Sequence, residues 1–137
     1  MNSYFVSDIE TSDDLSYLKE NFYKNPEKNY FLDYSLSVNK NIKGDLLLDL
    51  TKKILKFYKK NSNIVINLTK HPNLNIDMID LLYDIKSYII TYNICKSNII
   101  NLFYLNKIID YYIEAKYLNY DLTKQIIKNN SCDLSLL

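Results

Sequence analysis

Asn75-Ile76-Asp77-Met78-Ile79-Asp80-Leu81-Leu82-Tyr83-Asp84-Ile85-Lys86-Ser87-Tyr88-Ile89-Ile90-Thr91-Tyr92-Asn93-Ile94-Cys95 is the most apolar continuous stretch of this chain that still carries a clear period. Ile76, Ile79, Leu82, Ile85 or Lys86, Ile89, Ile90 and Ile94 recur at spacings of three and four, the period of an α-helix. Asn75 and Asp77 stand where a helix start needs acceptors for its orphan amides. In the second half apolar groups occupy nearly every side, with Met78, Tyr83, Tyr88 and Tyr92 on flanking positions. A helix apolar all round is one surrounded by other helices. The spacing therefore predicts a central helix over Ile79 to Cys95, with Ile79, Leu82, Ile89, Ile90 and Ile94 buried.

Glycine and proline, the strongest breakers of regular structure, occur only at Gly44, Pro26 and Pro72. Towards the N-terminus, Thr11-Ser12-Asp13-Asp14 caps a predicted helix whose stripe is Leu15, Leu18 and Phe22, with Tyr17 and Tyr23 alongside, ending before Asn25-Pro26. A shorter helix is expected from about Lys28 to Val38, with Phe31, Leu32 and Leu36 inward. Asp45 is positioned to cap a third, in which Leu47, Leu50, Ile54 and Phe57 or Tyr58 share a face. Lys52, Lys53, Lys56, Lys59 and Lys60 read mostly as its solvated face. Asn63 to Thr69 alternates in part; a lone strand has no partner, so a short helix or extended link is preferred. Beyond the central stretch, helices are expected over Ile99 to Tyr117 and from Asp121 to about Asn129. The expectation is an all-α fold: one domain spanning 1–137, its ordered core at about 12–129 between short polar tails, built as six or seven helices around a hydrophobic central helix.

Composition bounds the function classes. With 137 residues and 47% apolar content the chain is long enough to bury a core of its own. Its net charge of +1 arises from dispersed acids and 17 basic residues, every one a lysine. That gives no basic field for counterion release and no guanidinium fork for reading guanine, so nucleic acid is not the expected partner. Tyrosine stacking on single-stranded bases keeps a nucleic-acid-binding helical module as an alternative. The excess of Asn, Ile, Lys and Tyr is that of AT-rich codons, which points to a virus, a parasite or a small-genome bacterium. No basic start and apolar run of signal-peptide type opens the sequence, and a cytoplasmic or nuclear address is expected. The most membrane-like window, Ser87 to Asn106, contains Lys96, which at mid-span costs about 2.5–3.5 kcal/mol, so no membrane span is predicted.

No catalytic, cofactor or metal site emerges. Gly44 alone cannot build a glycine-rich phosphate loop, and Cys95, Cys132 and one imidazole do not make a zinc set. His71, before Pro72, reads as a surface loop residue. Asp110 and Glu114, at i and i+4 among lysines, read as a solvated cluster. The 14 tyrosines suit half-buried bundle positions and protein interfaces alike. No enzymatic activity is expected, and recognition is left to shape and apolar surface. The stripe Leu47, Leu50, Ile54 and Tyr58 is the candidate protein-binding surface, with a core stripe as the alternative.

Ser12-Asp13-Asp14-Leu15 to Tyr23, Gly44-Asp45-Leu46-Leu47 to Tyr58, Tyr83-Asp84-Ile85-Lys86-Ser87-Tyr88-Ile89-Ile90 to Cys95, and Leu105 to Ile127 follow one another in an order that resembles the small poxviral Bcl-2-like proteins. The likeness is one of element order over roughly residues 12–129. The groove motif Asn-Trp-Gly-Arg of cellular relatives is excluded by the lack of Trp and Arg, and Lys40 stands where the BH3 core needs Leu. The resemblance implies the soluble branch of that family. Such proteins bind host signalling components or BH3-like helices, act on NF-κB, interferon or apoptotic signalling in the host cell cytoplasm, and often form homodimers. A small helical structural or assembly protein of a virus or parasite is the alternative.

Overall fold

The computed structural model describes residues 8–85, 87–97 and 106–107. After a helical turn at 8–11, six helices follow in order: α1 (Leu15–Tyr23), α2 (Tyr30–Val38), α3 (Gly44–Phe57), α4 (Asn63–Thr69), α5 (Ile76–Tyr83) and α6 (Tyr88–Lys96). Among the described residues there is no strand, and the all-α class is as expected. The helices predicted over Ile99 to Tyr117 and Asp121 to Asn129, with Asp110, Tyr112, Glu114, Tyr120 and Cys132, lie outside the described residues apart from 106–107.

Local chemistry sets the helix starts. The Asp14 carboxylate accepts the Tyr17 amide at 3.2 Å, Asn29 accepts that of Leu32 at 3.2 Å, and Asn75 accepts that of Met78 at 3.0 Å. Each satisfies a donor that the helix itself leaves orphaned. The start of α3 differs from expectation: Lys43 is its N-cap, without a side-chain bond, and Asp45 sits in the first turn. Entry is through Gly44 at φ +60°, the left-handed region, where a Cβ would be strained although nothing lies within 4 Å of it.

Leu46, Leu47, Leu50, Thr51, Lys53 and Ile54 form the buried side of α3, a strip at helical spacing. It packs against α2, α4 and α5, while the short α4 packs against α2, α3 and α6 and buries Ile64, Val65, Leu68 and Thr69. Ile9, in the opening turn, is fully buried as well, so the core extends ahead of residue 12.

The stretch expected as one central helix is two. Helix α5 ends at Tyr83, and α6 starts after Ser87, whose carbonyl accepts the Thr91 amide at 3.0 Å. The turn lets α5 lie on α3 and α6 on α4 while the two still touch. Ile79, Leu82, Ile90 and Ile94 are buried as predicted; Ile89 is 44% exposed, because restarting the helix moves it off the inward face. The middle of the described fold is thus formed by α3 and α4. Among the described residues no helix is long and apolar enough to cross a membrane.

Candidate functional site

The nominated stripe divides. Leu47, Leu50 and Ile54 have no exposed surface and belong to the core, whereas Tyr58, just past the end of α3, is half-buried and reaches the surface. Its hydroxyl donates to Asp33 Oδ2 at 2.7 Å. Burial and that bond both hold the phenol well above its ordinary pKa.

Asp33 is the centre of a charged cluster. Its Oδ1 accepts from Lys53 Nζ at 2.7 Å, and its Oδ2 also accepts the Asn29 amide at 3.2 Å, at the head of its own helix. Lys53 Nζ donates in addition to the Asn25 carbonyl at 2.6 Å and lies 5.6 Å from the centre of the Phe22 ring. Both partners are buried, so this lysine leaves the solvated face assigned to it. Its register carries the signal: Leu46, Leu50 and Lys53 are spaced four and three, which places Lys53 alone of the run squarely on the inward strip. The pair clamps the loop between α1 and α2 onto α3.

Several aromatic side chains on α1 and at the head of α2 reach the surface. Tyr23 is 54% exposed, Tyr30 50% and Phe31 60%, the last against the expectation that it faces inward. At the head of α2 it is Leu32 that enters the core, while Phe31, one position earlier and so turned about 100° around the helix, stays outside. Tyr30 packs edge-on to Phe31 and Tyr58, with ring centres 6.0 and 6.1 Å away, and stacks on Tyr34 at 5.9 Å. Tyr23 donates to Asp49 Oδ2 at 2.6 Å, and that bond is the main reason its pKa is pushed up to about 12. Between the ends of α1 and α3, Phe22, Tyr23, Pro26 and Phe57 wall a recess of about 260 Å³, edged by Lys52, Lys53 and Lys56.

A second polar cluster is neutral. His71 is buried, which corrects its expected place on a surface loop. Its Nε2 lies 2.7 Å from the Asn39 carbonyl oxygen, and its Nδ1 accepts the Asn73 amide at 3.0 Å. A carbonyl only accepts and an amide N–H only donates, so the ring is the neutral Nε2–H tautomer. Desolvation lowers its pKa, opposed in part by the bond to Asn39. Asn39 donates to the Ile9 and Ser12 carbonyls at 2.6 and 3.0 Å, and Asn73 to those of Lys40 and Ile42 at 2.9 Å each. With both nitrogens held by backbone, the imidazole ties loops together. Burial pushes the Cys95 thiol up to about 12, which keeps it protonated near neutrality. Among the described residues no group of three or more His, Cys, Asp or Glu is arranged to hold a metal ion.

Fold and surface together define an all-helical protein with an exposed aromatic end beside a lysine-edged recess. No family model matches the chain, and no curated protein and no solved structure matches it.

Proposed function

We propose that this chain is a non-enzymatic protein-binding module whose interface is the aromatic end formed by α1, the head of α2 and the end of α3. The observation that carries this reading is the exposure of Tyr30 and Phe31 at the head of α2, where Tyr30 meets Tyr58 past the end of α3, together with the exposure of Tyr23 at the end of α1. Exposed aromatics supply large contact area at little entropic cost and are enriched where proteins bind proteins. The particular form of the reading is a soluble, Bcl-2-like viral modulator of host NF-κB, interferon or apoptotic signalling, acting in the cytoplasm. Its support is the all-α class and the order of capped helices; the divided central segment is the departure that this form must accommodate.

Tyr30→Ser and Phe31→Ser alter half-exposed residues, and loss of their ring contacts should lower stability by no more than about 1.5 kcal/mol each. Both should abolish cross-linking to partner proteins in cells expressing the chain. Leu50→Ala should instead unfold the protein at lower temperature. Retention of every cross-linked partner by the double variant overturns the interface. Absence of any effect on NF-κB, interferon and cell-death reporters overturns the signalling form.

A further inference from the structure

The recess beside the aromatic end has a chemistry of its own. Its walls are apolar, and its volume of about 260 Å³ is below the roughly 300–1,000 Å³ of small-molecule pockets, so it suits one inserted side chain. Lys53 brings no net charge to it, since Asp33 neutralises it. Lys52 and Lys56 are exposed, and among the described residues neither has a carboxylate partner. From Thr51 to Lys60 the sequence holds five lysines and no acid. An apolar socket edged by lysines that lack a carboxylate partner among the described residues is complementary to an apolar anchor flanked by carboxylates.

The ring geometry argues against a nucleic acid. Phe22 and Tyr23 meet edge-on at 4.9 Å, and Lys56 Nζ lies over the Phe57 ring, 5.1 Å from its centre. The Tyr23 hydroxyl is anchored on Asp49, which fixes the ring at the recess wall. Rings turned onto one another do not offer the open faces on which bases stack.

We infer that this recess docks an acidic linear segment of a partner protein, which inserts one aliphatic or aromatic side chain between Phe22 and Phe57 and sets its carboxylates against Lys52 and Lys56. This rests on the reading of the aromatic end as a protein interface. The test is selection of a randomised 12-residue peptide library on the intact chain, on Lys52→Glu/Lys56→Glu and on Tyr23→Ser/Phe31→Ser. The expected result is enrichment of acidic peptides with a central apolar residue. A synthetic peptide of the enriched sequence should bind the charge-reversed variant roughly tenfold or more weakly, while melting stays unchanged. Enriched peptides without acidic bias overturn this inference and leave the interface standing. Equal enrichment on Tyr23→Ser/Phe31→Ser, or none on any chain, overturns both. Displacement of the peptide by a 12-residue oligouridylate at equal concentration assigns the surface to nucleic acid, and loss of self-association in Lys52→Glu/Lys56→Glu assigns it to a second copy; either overturns the inference.

Discussion

Two of the polar clusters buried among the described residues solve one problem in different ways. Asp33, Lys53 and Tyr58 form an ion pair with a phenol, joining α2 to α3 through side chains 20 residues apart in sequence. Asn39, His71 and Asn73 form an uncharged network that joins loops through backbone carbonyls and amides. A buried ion pair is tolerated only while both charges and their further hydrogen bonds are in place. A neutral network needs only that each donor meet an acceptor, yet it fails if its imidazole takes up a proton. The first cluster is therefore vulnerable to loss of a partner and the second to acid.

The largest expected effect follows from breaking the charged cluster. Lys53→Met leaves Asp33 buried without a counter-charge and should cost about 3–5 kcal/mol in urea unfolding. Adding Asp33→Leu should recover a large part of that loss, because the stranded charge is removed with its partner. Additive losses in the double variant would show that the two side chains act independently. Leu50→Ala, in the apolar core, should cost about 2–5 kcal/mol, whereas Ile89→Ala, on the exposed side of α6, should stay within about 1 kcal/mol.

His71→Gln keeps at most part of the neutral network and should cost about 1–3 kcal/mol. The pH dependence sharpens the contrast. Burial lowers the folded-state pKa of His71 below its unfolded value of about 6.5. Below that pH the unfolded chain binds a proton that the folded chain resists, so stability falls as pH falls; above it the contribution is complete. Unfolding measured between about pH 5.5 and 8 should show this slope in the parent and lose it in His71→Gln. An unchanged slope would mean that another group titrates. A small effect is expected at Asn29→Ala, which removes a cap and should cost about 1 kcal/mol, read as a shift in melting temperature.

Much of the fold was legible because it is local. Caps at Asp14 and Asn75, the stop before Pro26 and the inward strip of α3 all follow from residues within one or two turns of each other. The candidate site was legible only in Tyr58. Leu47, Leu50 and Ile54 share its helical face by period, but period cannot tell a face that is covered from one that is open. Phe31 and Leu32 are both apolar neighbours, and only packing chose which one entered the core. Lys53 offered a clue in its register, and that clue needed Asp33 to become a reason for burial.

By itself the sequence determined the helical class, the starts of several helices and most of the buried aliphatic residues, because a period of 3.6 residues is written in consecutive side chains. Tertiary structure alone decided that the stretch from Ile79 to Cys95 turns between Tyr83 and Ser87, that Ile89 faces outward, and that Lys53 and His71 are interior. Each of those outcomes depends on a partner surface or hydrogen-bond acceptor supplied from a distant part of the chain, such as Asp33 for Lys53 and Asn39 for His71. Helical period decides which residues share a face; what lies opposite that face is fixed only when the helices meet.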